Sequence, residues 1–197
     1  MSIVVEGGSM FEDDKFHIIP SIRSVRYLDK ALESQEEWIL LSGCVHIGNL
    51  RSLVMKCHKA GKKVIVNHET VGGLAADRAA FQLLEKMYEV DCVMGSSGRR
   101  IGMAQKTKMK TIQRISLTDS MGLDSGLQSI KEAKADIIEL RPAYYAMSFL
   151  HKFKAVNDGI YIAGGFIDSR EMLDLLQQAG FNGATVSDEN LWDYSIK

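Results

Sequence analysis

Residues 160–186 read IYIAGGFIDSREMLDLLQQAGFNGATV and contain one complete strand–helix–strand unit. The apolar, β-branched runs at 160–163 and 183–186 have the length of strands. Between them, Ser169 precedes a stretch whose apolar residues recur at helical spacing, and a glycine follows it. The unit predicts two parallel strands joined by a crossover helix over residues 169–179.

The same unit recurs along the chain, with a new strand about every 20 to 28 residues. The predicted strands are residues 18–23, 38–42, 63–67, 92–95, 111–116, 137–141, 160–163 and 183–186. Residues 75–90 are typical of the intervening helices, with Leu83, Leu84, Met87 and Val90 on one face. Repeated strand–helix units predict an α/β fold, and eight units without a large insertion favour a small single-domain (βα)8 TIM-type barrel over an open, doubly wound sheet.

Two features depart from this regular pattern. Residues 1–16 show no hydrophobic period and include a second methionine, Met10. We assign them to an N-terminal tail, natural and disordered or in part a cloning remnant, and residues 17–197 to the barrel domain. Pro20 lies inside the first predicted strand, where it cannot donate a hydrogen bond, and predicts a bulge there.

The composition is that of a globular domain. The chain has 197 residues, of which 46% are hydrophobic, and its 24 Lys and Arg nearly balance 25 Asp and Glu. Only 2 Pro, spread-out charge and this apolar content exclude a disordered or collagen-like chain. The apolar runs have the length of strands, which excludes a membrane-spanning helix. The acidic N-terminus lacks the basic and apolar regions of a signal peptide, so we expect a cytoplasmic location.

The cysteines offer little chemistry. Cys44, Cys57 and Cys92 have apolar neighbours and form no CxxC pair, so we expect reduced, buried thiols. Cys44 and Cys57 combine with His46 and His58 into the one conceivable zinc set, but the spacing matches no closed zinc site. We therefore expect no metal and no cofactor.

The last two predicted strands are followed by residues suited to a phosphate. Barrels of this type bind ligands at the C-terminal strand ends, and phosphate commonly lies by the loops after strands seven and eight. Gly164 and Gly165 let the backbone approach a ligand closely. Ser187 is predicted to start a short helix, whose free N–H groups attract an anion. A tight turn followed by a serine cap is the alternative interpretation.

Other polar side chains end the remaining strands and could line the barrel mouth. These candidates are Arg23, Glu69, Arg114, Asp119 and Glu139. Glu69 or Glu139 would be the base if the protein were a small barrel enzyme, an isomerase or lyase acting on a phosphorylated molecule. No lysine ends a strand, which excludes Schiff-base chemistry. A structural hydrogen bond or ion pair at the rim is the alternative for each residue.

One stretch of the chain is strongly basic. Residues 92–118 contain no Asp or Glu, and their cations are Arg99, Arg100, Lys106, Lys108, Lys110 and Arg114. Such a segment attracts a nucleic-acid backbone without reading its sequence. A solvated helix face is the alternative, since the segment carries no RNA-binding signature and no interleaved aromatic residues.

The strand-end motifs match those of one family in combination and order, over residues 19–192. The matching pieces are Ile19-Pro20-Ser21-Ile22-Arg23, His46-Ile47-Gly48-Asn49-Leu50, Thr111-Ile112-Gln113-Arg114 with Asp119-Ser120, Ile138-Glu139, Ala163-Gly164-Gly165-Phe166-Ile167, and Ser187 with Leu191-Trp192. In these pieces the chain resembles the glycerol-3-phosphate-responsive antiterminators of the bacterial glycerol uptake operon.

The resemblance implies a function without catalysis. A small βα barrel would sense glycerol 3-phosphate as its effector, and the liganded form would bind the leader mRNA of a glycerol-catabolic operon and prevent termination. By this resemblance Gly164, Gly165 and Ser187 contact the phosphate, with Thr185 beneath them. The segment 99–114 is then the candidate RNA surface.

The chain departs from the family pattern after the third, fourth and sixth strands. The departures include Asn67, Gly72, Ser97, Arg141 and Ala143. They spare the phosphate side of the mouth, so the resemblance implies a phosphate more strongly than it implies glycerol. A member that senses another small phosphate remains an alternative, as does a protein-binding module with a structural phosphate.

Overall fold

Eight parallel strands close into a barrel in the computed structural model, which describes residues 10–11 and 15–193. The strands β1 to β8 are His17–Ile22, Trp38–Leu41, Lys63–Asn67, Cys92–Gly95, Lys110–Ser116, Ile137–Arg141, Ile160–Gly164 and Gly183–Val186. Each strand pairs with its sequence neighbours, and β8 pairs with β1. The structure therefore confirms the predicted barrel, and each strand boundary lies within one residue of its prediction.

Helices cover the outside of the barrel. The helices α1 to α7 are Leu28–Glu33, Leu50–Lys59, Arg78–Lys86, Gly98–Ala104, Ser120–Ala133, Ala143–Lys154 and Arg170–Gln178. Two 3-10 turns, η1 (Val25–Tyr27) and η2 (His68–Thr70), follow β1 and β3. None of the described helices is long and apolar enough to cross a membrane.

Two local predictions are wrong. The helix predicted over 75–90 is the shorter α3, and Leu83 and Met87 of its predicted apolar face are 39% and 53% exposed. Its buried face is instead formed by Ala80, Phe81 and Leu84, which recur at helical spacing. The left-handed φ of 56° at Glu89 ends the helical path before residue 90.

The bulge predicted at Pro20 is absent. The register from His17↔Gly183 to Pro20↔Val186 is unbroken. The pairing between β1 and β2 begins only at Ser21, after the proline, so the missing N–H disturbs no ladder on that side.

The alternating strand residues form two cores. Side chains inside the barrel make one apolar cluster, whose strand members are Ile19, Trp38, Leu40, Ile65, Cys92, Met94, Ile112, Ile137 and Ile162. Their strand neighbours pack outward against the helices in a second, larger cluster. This two-sided burial explains why the strands are nearly continuous apolar runs. At the C-terminal end the interior becomes polar.

The N-terminal end of the barrel is filled from the segment assigned to a tail. Met10 and Phe11 are each 5% exposed and belong to the interior cluster. The Phe11 ring lies 4.6 Å from the His17 ring and 6.2 Å from the Trp38 ring, measured between centroids. Residues 10–11 therefore belong to the folded unit, because the open end of the barrel needs apolar side chains to exclude water. Residues 1–9 and 12–14 of the predicted tail lie outside the described residues.

Phe11→Ala should destabilise the barrel, because it removes a buried ring from a closed interior. We expect a loss of about 3 kcal/mol in the free energy of unfolding, measured by urea denaturation. Met121→Ala, at a side chain that is 77% exposed, is the control and should change stability by less than about 0.5 kcal/mol. Equal stability of the two variants would show that Phe11 does not belong to the core.

Candidate functional site

A cavity of about 690 Å³ opens at the C-terminal ends of the strands, and we call it the mouth cavity. Its lining residues are Ser21, Arg23, Ser42, Gly43, Asn67, Thr70, Arg114, Arg141, Gly165, Phe166, Ile167, Thr185 and Ser187. Each strand except β4 contributes at least one of these residues, either from the strand itself or from the loop directly after it. The position is the one at which barrels of this type bind ligands.

The mouth cavity is strongly cationic. Arg23, Arg114 and Arg141 line it, and no Asp or Glu among the described residues does so. Arg114 is paired with Glu139 below the cavity, whereas Arg23 and Arg141 form no ion pair with any described residue. Burial, and next to it the charge of Arg114, lower the pKa of Arg141 from its ordinary value. An anion in the cavity would offset this crowding of positive charge.

The floor of the mouth cavity is a buried network centred on Glu139. Its carboxylate is fully buried and accepts hydrogen bonds from both Nε and Nη2 of Arg114, the second at 3.3 Å. Thr185 Oγ1 donates to the same carboxylate at 2.6 Å. Because a buried carboxylate is costly unless it is paired, this network fixes the Arg114 guanidinium at the cavity floor.

The two adjacent glycines have different tasks. A Cβ on Gly164 would lie 2.5 Å from Thr185 Oγ1 and 2.7 Å from Glu139 Oε1, so this glycine makes room for the network and does not line the cavity. Gly165 lines the cavity with a left-handed φ of 81°, which favours glycine. Phe166 follows with a φ of 58° and is 86% exposed at the rim.

The helix predicted to start at Ser187 is absent from residues 187–193. The Asp188 carboxylate accepts hydrogen bonds at 2.9 Å from both the backbone N–H and the side-chain amide of Asn190, which forms a turn. Trp192 is buried and donates from Nε1 to the Val186 carbonyl at 2.9 Å, which folds the segment back onto β8. Ser187 still lines the mouth cavity, but without a helix dipole behind it.

Three residues predicted at the mouth do not line this cavity. Glu139 lies below it, in the network. Asp119 caps α5 and accepts a hydrogen bond from the Gly122 N–H at 2.7 Å. Glu69 faces a different cavity. The direction of a loop side chain cannot be predicted from sequence alone, which explains why Asp119 and Glu69 were expected at the mouth.

Several lining residues were not among the predicted ligand contacts although the strand period could have found them, and Ser21 and Arg141 are examples. Ser21 lies two residues before Arg23, so both side chains point to the same face of the strand. Arg141 likewise lies two residues after Glu139. Of the departures from the family pattern, Asn67 and Arg141 line the mouth cavity.

A second cavity, of about 880 Å³, lies outside the mouth between the loops that precede α3 and α4, and we call it the arginine cavity. Its lining residues are Glu69, Ala76, Asp77, Arg78, Ser96, Ser97, Arg99, Arg100 and Met103. The three arginines form no ion pair with any described residue.

The basic segment predicted as one surface is divided by the fold. Arg99 and Arg100 lie at the start of α4, near the mouth. Lys106 and Lys108 follow that helix, and Lys110 begins β5 at the opposite end of the barrel, 3.6 Å from Asp136. The prediction of a continuous surface is therefore wrong, because a helix of a βα unit carries the chain from one end of the barrel to the other.

Metal-ligating side chains are dispersed. Within residues 10–11 and 15–193 no group of three His, Cys, Asp or Glu side chains could hold a metal ion. Cys57 and Cys92 are buried and Cys44 is half-buried, and all three are free thiols. His58 contacts Asp91 at 2.8 Å instead of Cys57.

Gly164→Ala tests the network, because its methyl group would collide with Thr185 and Glu139. We expect a destabilisation of about 1–3 kcal/mol by urea denaturation. Gly102→Ala in α4 is the matched control, since its Cβ meets nothing within 4 Å and should stabilise the helix by about 0.5–1 kcal/mol. A Gly164→Ala variant as stable as the control would contradict the close packing of this floor.

Comparisons with known proteins agree with the fold. A family model described as glycerol-3-phosphate responsive antiterminator matches residues 18–192. A glycerol uptake operon antiterminator regulatory protein from Listeria monocytogenes is 28% identical, with a TM-score of 0.84 over 91% of this chain and 96% of that one. A related protein from Thermotoga maritima is 20% identical, with a TM-score of 0.80 over 91% and 99%.

More distant structures share the fold alone. A 2,3-dimethylmalate lyase is 12% identical, with a TM-score of 0.67 over 89% of this chain and 76% of that one. A search of curated proteins found no match.

Proposed function

The chain belongs to the glycerol-3-phosphate responsive antiterminator family, and on that basis we propose that it binds glycerol 3-phosphate in the mouth cavity and, when liganded, binds the leader RNA of a glycerol-catabolic operon. RNA binding would prevent termination of the nascent transcript, which places its action in the cytoplasm. The observation that carries the proposal is a mouth cavity with three arginines and no carboxylate among its described lining residues.

The cavity chemistry suits a small organic phosphate. Guanidinium groups bind phosphate oxygens through paired, charge-assisted hydrogen bonds. Gly165 begins the loop after β7, Thr185 lies in β8, and Ser187 begins the loop after β8. These loops are the usual position of a phosphate in such barrels. The hydroxyls of Ser21 and Ser42 would be available to the hydroxyls of glycerol. Another small phosphate would share the contacts with the guanidinium groups but would lack those of the glycerol hydroxyls with Ser21 and Ser42.

The alternative of a phosphate-handling enzyme has no observation in its favour at this site. Neither candidate base lines the mouth cavity. The Glu139 carboxylate is already engaged by Arg114 and Thr185, and Glu69 faces the arginine cavity. The lyases among the related structures are about 12% identical and share the barrel alone.

Glycerol 3-phosphate should raise the melting temperature of the protein, because it binds the native state alone. Inorganic phosphate should raise the melting temperature less, and glycerol should not raise it at all.

Arg141→Met should reduce the affinity for glycerol 3-phosphate by about 10- to 100-fold in titration calorimetry, because it removes a charge-assisted hydrogen bond. Arg51→Met, at an exposed arginine of α2 outside the cavity, is the control. No response to any of the three compounds would contradict the proposed effector.

RNA binding should depend on Arg99 and Arg100 at the mouth end of α4. The double variant Arg99→Glu, Arg100→Glu should weaken binding of a glycerol-operon leader transcript and make the salt dependence shallower, by about 0.7–0.9 for each phosphate that the protein no longer neutralises. The same charge change at Lys106 and Lys108, at the opposite end of the barrel, is the matched control. A larger effect at the two lysines would move the RNA surface to the other end.

A further inference from the structure

The turn η2 separates the mouth cavity from the arginine cavity. Asn67, which caps the turn, and Thr70, which ends it, line the mouth cavity. Glu69, between them, lines the arginine cavity. One short turn therefore presents side chains to both cavities, and a movement of the turn would change the lining of each.

Glu69 joins this turn to the loop after β4. Its carboxylate accepts a hydrogen bond from the Ser96 N–H at 3.0 Å and one from the Ser96 hydroxyl, whose Oγ lies 2.7 and 2.8 Å from the two carboxylate oxygens. Partial burial disfavours the charged form, but the bonds from Ser96 and the nearby His68 outweigh it and lower the pKa of Glu69 below its ordinary value. Glu69 is consequently an ionised acceptor at neutral pH.

The loop held by Glu69 positions the arginines. Ser97 follows Ser96 and caps α4, whose second and third residues are Arg99 and Arg100. A shift of Ser96 must therefore move the start of this seven-residue helix. Arg78 faces the same cavity from the start of α3.

The turn itself is held by few bonds. Asn67 Oδ1 accepts from the Glu69 N–H at 3.1 Å, and Thr70 Oγ1 donates to the Asn67 carbonyl at 3.0 Å. His68 is 3% exposed and packs on Phe81, with its ring centroid 5.1 Å away, but neither ring nitrogen has a hydrogen-bond partner. Packing holds His68 without a side-chain hydrogen bond, so the bonds that a movement of the turn has to exchange are those of Asn67 and Thr70.

The arginine cavity has the chemistry of a phosphodiester site. Arg78, Arg99 and Arg100 are exposed, unpaired cations on two neighbouring helices. Two carboxylates also line the cavity, but they bond to Ser96 and to the Ala80 N–H (2.9 Å) and not to the arginines, which exceed them by one charge. Three guanidinium forks around one cavity suit adjacent phosphate groups of a nucleic-acid chain.

We propose that the arginine cavity binds the phosphodiester backbone of RNA and that Glu69 couples it to the mouth cavity through η2. The inference rests on the proposed function. A ligand that hydrogen-bonds Asn67 or Thr70 competes with the bonds inside the turn. The turn then pivots, and Glu69 carries Ser96 and the start of α4 into the arrangement that binds RNA better. Glu69 is thus a positioning residue for the RNA site.

The test is a linkage measurement on the full chain. The affinity for a glycerol-operon leader transcript is measured by fluorescence anisotropy with and without saturating glycerol 3-phosphate, and the ratio of the two affinities is the coupling. We expect about tenfold or more for the wild type and a ratio within about twofold of one for Glu69→Ala. The affinity for glycerol 3-phosphate without RNA should stay within about threefold of wild type, a readout that general structural damage would not spare.

Matched variants isolate the Glu69 link. Glu69→Gln keeps an acceptor oxygen and should restore most of the coupling, whereas Ser96→Ala removes one donor and should reduce it. Glu85→Ala is the control: the Glu85 carboxylate accepts from the Lys108 N–H at 2.9 Å, a similar contact at the other end of the barrel. Its coupling should equal that of the wild type. Circular dichroism establishes that each variant is folded.

The outcomes separate the two proposals. A wild-type ratio near one overturns the ligand-gated function and this inference with it. A wild-type ratio of about ten that persists in both Glu69→Ala and Ser96→Ala overturns the link alone. Arg78→Glu should weaken RNA binding at least about threefold, and an effect no larger than that of Lys106→Glu overturns the arginine cavity as the RNA site.

Discussion

The buried contact of Glu139 with Arg114 and Thr185 sets the boundary between the dry interior of the barrel and its polar mouth. Without this carboxylate, three arginines would converge on one small cavity with no counter-charge near them. Taking an ion pair out of water is costly, and it is tolerated here because a hydroxyl satisfies one of the carboxylate oxygens. Gly164 is required at the adjacent position because any side chain would occupy the space of this contact.

The positive charge of the mouth cavity depends on side chains more than on backbone dipoles. A helix after β8 would have offered free N–H groups, but the segment that ends in Trp192 folds back onto β8 instead. The positive potential at the mouth therefore comes mainly from Arg23 and Arg141, which form no ion pair with any described residue. Guanidinium groups are more selective than a helix end, because their paired donors match the geometry of a phosphate.

Strand periodicity explains which parts of the fold and site could be predicted from the sequence. A strand buried on both sides gives a continuous apolar run, and eight such runs at regular spacing leave few architectures. Residues on or directly after strands, such as Arg114 and Thr185, were placed correctly at the mouth, since the strand fixes their direction. Asp119 and Glu69 were not, because a loop residue points where local hydrogen bonds take it. The prediction of one basic surface was wrong for a related reason. Residues that precede and follow a helix are close in sequence but lie at opposite ends of the barrel.

Two anion-attracting cavities joined by one turn impose a physical limit on regulation. A ligand shifts an equilibrium only by the difference in its affinity for the two states, so under the proposed function the mouth ligand would have to bind the RNA-competent turn better than the resting one. Two side-chain hydrogen bonds and a histidine packed on Phe81 resist the proposed movement of the turn, and the difference in affinity would have to exceed their cost. In the proposed chain of contacts the Glu69 carboxylate is the firm link, because its three contacts with Ser96 would make the loop after β4 follow the turn.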